Sequence, residues 1–114
     1  MHKTPDPLRH EIGTLQVRRR FLESRLLQPQ TLLAASLIER HLGSGAKRRA
    51  SPAYYLSRSV AGRSKLTYVK VAALPDVRQQ CEAHRNYQQR LVQWRHLTAE
   101  LDRLWLQLQR SQSA

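Results

Sequence analysis

The chain has 114 residues, enough for one small domain and too few for two. It carries 20 lysine and arginine residues against 8 acidic residues, which gives a formal net charge of +12. This balance predicts a polyanionic partner, with nucleic acid ahead of an anionic membrane. No apolar run suits a signal peptide or a membrane span, and the single cysteine, Cys81, excludes an internal disulfide. We therefore expect a cytoplasmic protein.

The first predicted element is a helix over residues 7–28. Asp6 and Pro7 fit a helix cap and first turn, and Pro29 ends the helix. Apolar residues recur at steps of three and four, and Arg19 occupies the one skipped place. These residues are Leu8, Ile12, Leu15, Leu22 and Leu26. The spacing is typical of a helix that packs on another helix.

The next segment, residues 32–42, fits two structures. Thr31 could cap a short helix, or residues 36–41 could form a third strand beside the hairpin that follows. A lone hairpin is only marginally stable, which favours the strand. We predict a strand over 36–41 and a basic loop over 42–51.

Alternation of apolar and polar residues predicts a β-hairpin with strands at 53–60 and 65–72. A loop of four residues between the strands would pair Leu56 with Val69 and Tyr54 with Val71. That register turns one apolar face toward the helices. The opposite face then carries Tyr55, Tyr68 and Lys70.

The last predicted element is a long helix over residues 75–110, because residues 77–109 contain no glycine or proline. A mostly heptad-like stripe runs along it. The stripe consists of Val77, Cys81, His84, Tyr87, Leu91, Trp94, Thr98, Leu101, Trp105 and Leu108. The natural partner is the first helix, packed antiparallel. The fold class is therefore α+β, a single domain over residues 1–114 in which a helical hairpin accompanies a small antiparallel sheet.

The end of this stripe predicts a protein interface. The first helix is expected to be too short to reach Trp105, Leu106 and Leu108, so their apolar surface would stay uncovered within the chain. We expect a homodimer, or docking on a larger protein. The expected contact residues are Trp94, Leu101, Trp105 and Leu108.

The charges are distributed unevenly, and no acidic residue lies between Arg40 and Pro75. Positive loops joined to an extended ribbon can follow a phosphate backbone, and exposed tyrosines can stack on bases. Tyr54 is expected to pack, whereas Tyr55 and Tyr68 fit packing or stacking equally. The candidate nucleic-acid-binding residues are Arg40, Lys47, Arg48, Arg49, Tyr55, Arg58, Arg63, Lys65, Tyr68 and Lys70. We expect DNA ahead of RNA as the ligand.

No catalytic constellation stands out in the sequence. The histidines and the cysteine lack the spacing of a metal site, and the glycines at 43 and 45 lack the pattern of a phosphate-binding loop. We therefore expect no catalytic residue, cofactor or metal. The sequence predicts a non-enzymatic nucleic-acid-binding protein, and the alternative is an interaction module built on the helical hairpin.

Several segments between residues 35 and 104 carry a family resemblance. They are Ser36-Leu37-Ile38-Glu39-Arg40, Pro52-Ala53-Tyr54-Tyr55-Leu56-Ser57-Arg58, Thr67-Tyr68-Val69 and Asn86-Tyr87. Their order resembles a family of small bacterial and archaeal proteins known only as a domain of unknown function. Members show Ser-Leu-Val-x-Arg, a cysteine-rich loop, Gly-Pro-Tyr-Tyr and a long helix with Asn-Tyr. The resemblance implies a strand at 36–41.

The loop departs from that family. Members have a Cys-Gly-Lys-Pro-x-Cys-x-Cys type of loop, which looks metal-binding, whereas residues 43–50 contain no cysteine. No zinc site is therefore carried over to this chain. The family's genes often lie near mobile elements, so the resemblance implies an accessory role in nucleic-acid work.

Overall fold

The computed structural model describes residues 4–43, 45 and 51–113. The elements are helix α1 (Pro5–Leu26), strands β1 (Ser36–Arg40), β2 (Ala53–Val60) and β3 (Arg63–Val69), a short 3-10 helix (Val71–Ala73) and helix α2 (Leu74–Gln112). The α+β fold class is confirmed, and so is the strand predicted at 36–41, which is β1. Contacts divide the described residues into two compact units, one of 4–29 with 87–113 and one of 30–86. Helix α2 contributes residues to both units.

The first unit pairs α1 with residues 87–112 of α2. Its start differs from the prediction, because Thr4 is the N-cap residue and makes no side-chain capping bond. Asp6 instead lies in the first turn, where one carboxylate oxygen accepts a hydrogen bond from Arg9 at 2.8 Å. An acidic side chain at this position also interacts favourably with the helix dipole.

The core of this unit joins the beginning of α1 to the end of α2, so the helices run antiparallel. Leu8 and Ile12 are buried, and Leu15 packs beside them. Their partners on α2 are Leu101, Leu104 and Leu108. The expectation that the first helix stops short of Leu108 is therefore wrong.

The stripe on α2 is also wrong at one step. Leu104 is fully buried, whereas Trp105 remains 49% exposed. After Leu101 the packed line continues by three residues and then four, where the sequence suggested four and then three. Both steps keep a side chain near one helix face, so the position of α1 decides between them.

The second unit contains the antiparallel sheet, in the order β1-β2-β3. Tyr54 pairs with Val69, and Leu56 pairs with Thr67. The predicted hairpin register is therefore wrong by two residues, because the turn contains only Ala61 and Gly62. Both have positive φ angles, 51° and 77°, as a two-residue turn of the I′ type requires.

A shift of two residues preserves the faces of a strand. One side of the sheet, the helix-facing side (Leu37, Tyr54, Leu56 and Val69), packs with α2 in the second core. Buried residues of this core are Leu56, Val69, Leu74 and Cys81, with Leu33, Ala35, Leu37, Tyr54 and Val77 packed against them. The prediction that Tyr54 packs is confirmed, and Cys81, a member of the predicted stripe, is buried.

Candidate nucleic-acid interface

The β2–β3 hairpin extends beyond the end of β1. Pairing of β1 with β2 ends where Ser36 lies opposite Ser57, whereas β2 and β3 stay paired as far as Val60 and Arg63. Residues 58–65 therefore form a two-stranded extension, the hairpin arm. The arm closes through the turn at Ala61 and Gly62.

Three cations share one side of the arm, the side that continues the helix-facing side of the sheet. Arg58 lies directly opposite Lys65, and Arg63 lies opposite Val60, one step nearer the turn. We call Arg58, Arg63 and Lys65 the basic ladder. All three are exposed, and no carboxylate within the described residues forms an ion pair with them. Like charges directly across a sheet destabilise it, so the fold gains nothing from this arrangement.

Two arginines of α2, Arg78 and Arg85, lie near residues of the second core. Arg78 places its guanidinium carbon 5.8 Å from the centroid of the Tyr54 ring, within the range of a cation–π contact. Arg85 acts electrostatically on Cys81, as Arg58 does. The signal for both was their spacing of three and four residues from Cys81, which places them on the side of α2 that meets the sheet.

The pKa of the Cys81 thiol depends on its burial and on the positive charges near it. Burial raises the pKa of the Cys81 thiol above its ordinary value, and Arg85 and Arg58 partly oppose that rise. The neutral thiol is therefore the form present at neutral pH. This environment does not activate a nucleophile, which requires a lowered pKa.

The opposite side of the sheet carries the predicted tyrosines. Ile38, Tyr55 and Tyr68 form one row across the three strands. The two rings meet edge to face, with centroids 5.7 Å apart and planes inclined by 70°. Tyr68 is 58% exposed and Tyr55 is half-buried. We call this side, which also carries Leu66, the tyrosine face.

The predicted binding residues are thus divided between two sides. Arg40 ends β1 on the tyrosine face, because it lies opposite Ala53. The basic ladder lies on the other side of the hairpin. Lys70 follows β3 and is exposed, and its carbonyl accepts a hydrogen bond from Ala73. The remaining predicted residues, Lys47, Arg48 and Arg49, lie outside the described residues.

The residues predicted for a protein interface lie in the first unit. Leu101 and Leu108 are buried by α1 within the chain, so they are core residues. Trp94 is half-buried, and its indole Nε1 has no hydrogen-bond partner among the described residues. Trp105 keeps about half of its surface exposed, beside the exposed Leu106.

No helix in the described part of the chain is long and apolar enough to cross a bilayer. Among residues 4–43, 45 and 51–113, no three histidine, cysteine or acidic residues lie close enough together to hold a metal ion.

Comparison of the chain with protein-family models, with curated proteins and with solved structures found no match. The resemblance to the domain family of unknown function therefore stays a prediction.

Proposed function

We propose that this protein is a non-enzymatic nucleic-acid-binding protein that contacts the phosphate backbone through the hairpin arm and the adjoining arginines of α2. The basic ladder carries this proposal. Arg58 and Lys65 face each other without an acidic partner among the described residues. A polyanion would neutralise a repulsion that the folded chain leaves in place.

The physical basis is counterion release. Each cation that neutralises a phosphate frees a condensed counterion, so the logarithm of affinity falls linearly with the logarithm of salt concentration. Arg58, Arg63 and Lys65 are exposed and close together, and Arg78 and Arg85 of α2 add charge within the same unit. Guanidinium groups also bind phosphate oxygens with two parallel hydrogen bonds.

The test compares two variants that each lose two positive charges. One is Arg58→Gln with Lys65→Gln in the ladder. The matched control is Arg18→Gln with Arg20→Gln, two exposed residues of α1. Fluorescence anisotropy with a labelled DNA duplex, titrated at several salt concentrations, gives affinity and salt slope for each protein.

We expect the ladder variant to lose at least about tenfold in affinity and to lower the salt slope by about two, since each lost phosphate contact removes about one unit. The control should change the affinity by less than about threefold. Equal losses in both variants would mean that net charge alone attracts the ligand. Absence of binding by the wild-type protein at low salt would refute the function itself.

A second candidate function is a protein-interaction module. It is favoured by apolar side chains left exposed on the two helices: Trp105, Leu106, Val17 and Phe21, of which Val17 is 64% and Phe21 60% exposed. Exposed apolar side chains that lie side by side often mark contact surfaces, and here Trp105 is next to Leu106 and Val17 is one helical turn from Phe21.

Analytical ultracentrifugation tests this second function. The wild-type chain is expected to dimerise, and Trp105→Ala is expected to weaken the dimer. Gln109→Ala, at an exposed polar position of the same helix, serves as the control. A monomeric wild-type protein at all concentrations would exclude the homodimer.

A further inference from the structure

We propose that the hairpin arm, residues 58–65, enters the major groove of B-form duplex DNA with its turn toward the base pairs. This inference rests on the proposed function and adds to it the form of nucleic acid and the groove. It follows from the size of the arm, from the side chains at its tip and from the geometry of the tyrosine pair.

The arm has the dimensions of a groove-filling element. It continues for three residues beyond the Ser36–Ser57 pair before the turn begins. At about 3.3 Å per residue it projects roughly 10 Å, and its strands lie about 4.8 Å apart. The major groove of B-form DNA is about 12 Å wide and about 8.5 Å deep, and it admits a two-stranded ribbon. The minor groove, about 6 Å wide, is too narrow for a ribbon with side chains.

The order of residues along the arm matches the order of groups from the rim of the groove to its floor. Arg58 and Lys65 lie at the base of the arm, two residues or roughly 7 Å before its last pair, at the level where the phosphates line the rim. Arg63 lies nearest the turn, where a guanidinium can reach the O6 and N7 acceptors of guanine. The turn residues Ala61 and Gly62 are small, which permits close approach of the backbone to the bases.

The other side of the arm carries small hydroxyl side chains. Ser59 lies opposite Ser64, and the hydroxyl groups of Ser64 and Ser57 are 3.2 Å apart. Serine hydroxyls can donate to phosphate oxygens and can contact either type of base pair. The arm therefore presents polar groups to both walls of a groove, and its one large apolar side chain is Val60, opposite Arg63.

Single-stranded ligands fit this surface less well. Proteins that bind single strands provide aromatic rings on which successive bases stack face to face. Tyr55 and Tyr68 are inclined by 70°, so the edge of one ring is directed at the face of the other. A-form RNA duplexes are also disfavoured, because their major groove is deep, narrow and closed to side chains.

The experiment uses the full chain and two variants at the tip, Ala61→Asp and Ala61→Asn. Both side chains tolerate the positive φ of this position and have nearly the same size, but only aspartate carries a negative charge. Each protein is titrated by anisotropy against four probes of one sequence. The probes are a DNA duplex, the same duplex with glucosylated hydroxymethylcytosine, the single DNA strand and the RNA duplex. Glucosylation fills the major groove and leaves the phosphates and the minor groove unchanged.

We expect the plain DNA duplex to bind most tightly and the glucosylated duplex to bind at least about tenfold more weakly. Ala61→Asp should lose at least about tenfold in affinity for the plain duplex, because its carboxylate enters a groove lined by phosphates, whereas Ala61→Asn should keep wild-type affinity. Circular dichroism and thermal unfolding check that both variants fold.

Three results would overturn the groove assignment while leaving nucleic-acid binding intact. They are equal affinity for the plain and glucosylated duplexes, tighter binding of the single strand or the RNA duplex, and equal affinity of the two tip variants for the plain duplex. Failure of the wild-type protein to bind any probe at low salt would instead refute the proposed function.

Discussion

Arg58 and Lys65 lie directly opposite each other on the β2–β3 ladder, two positive charges on the same side of an exposed hairpin. In a sheet, such a pair destabilises the strands that carry it, while opposite charges at the same positions stabilise them. The stability of this hairpin and its affinity for a polyanion should therefore respond in opposite directions to the same substitution.

Lys65→Glu should raise the free energy of unfolding by roughly 0.2–1 kcal/mol, because it creates an opposite-charge pair with Arg58. The same change should weaken binding to duplex DNA. Urea unfolding and anisotropy measure the two effects. In the double variant Arg58→Glu with Lys65→Glu the charges are alike again, so the gain in stability should disappear. A loss of stability in Lys65→Glu would contradict the repulsion.

The turn offers a second prediction. Ala61 has φ 51°, a left-handed conformation that alanine adopts at a cost of about 1 kcal/mol. Asparagine followed by glycine suits this type of turn. Ala61→Asn should therefore raise the free energy of unfolding by up to about 1 kcal/mol, measured by urea unfolding. Ala61→Val, whose branched side chain suits φ > 0 poorly, should have the opposite effect.

Leu104 and Trp105 give a direct test of the helix stripe. Leu104→Ala should cost about 2–5 kcal/mol of stability, because it leaves a cavity in the core formed with α1. Trp105→Ala should cost less, since about half of the indole remains in water. Thermal or urea unfolding of the two variants at low protein concentration separates this effect from dimerisation. A larger cost for Trp105 would restore the stripe that the sequence suggested.

At Thr98 we expect a core substitution that does not reduce the free energy of unfolding. Its hydroxyl oxygen is buried and has no hydrogen-bond partner among the described residues. Replacing an unsatisfied buried hydroxyl by a methyl group of similar shape removes a desolvation cost. Thr98→Val should leave the unfolding free energy unchanged or raise it by about 1 kcal/mol. A loss of more than that would reveal a hydrogen bond of this hydroxyl in solution.

The raised pKa of Cys81 predicts that the stability of the folded chain falls at alkaline pH. Burial raises the pKa of this thiol in the folded chain, so the folded state keeps its proton where the unfolded state has lost it. The contribution to stability is complete below the unfolded pKa, and it is lost as the pH rises from that value through the folded pKa. Unfolding curves of the wild type and Cys81→Ala should converge over this range. A constant difference between them would show that the thiol pKa does not change on folding.

The sequence predicts the strands and their faces well because alternation with a period of two is a local property. Tyr54 and Leu56 are assigned to the packed side even though the predicted register was wrong. The register depends on the turn, and Ala61-Gly62 lacks the Asn-Gly or Asp-Gly signature that marks a two-residue loop. The four-residue loop that the sequence suggested gives the same faces, but it displaces every β3 partner by two residues.

The sequence identifies which residues form the candidate site, but it does not predict which of them lie opposite each other. Absence of acidic residues between Arg40 and Pro75 identifies the basic segment. Only the observed register places Arg58 opposite Lys65, whereas alternation alone already puts both on the side away from Tyr55 and Tyr68. Arg85 was missed because only the tertiary packing brings both Arg85 and Arg58 near Cys81.

The extension of the hairpin past β1 also exposes hydrogen-bonding edges. Among the described residues, the outer edge of β2 from Arg58 to Val60 has no neighbouring strand. Open edges are templates on which other chains can polymerise, and charged side chains at the edge discourage such pairing. Mutual repulsion between copies of the arm would therefore keep the unliganded protein dispersed. The same cations that make the hairpin less stable would protect it from joining another hairpin of its own kind.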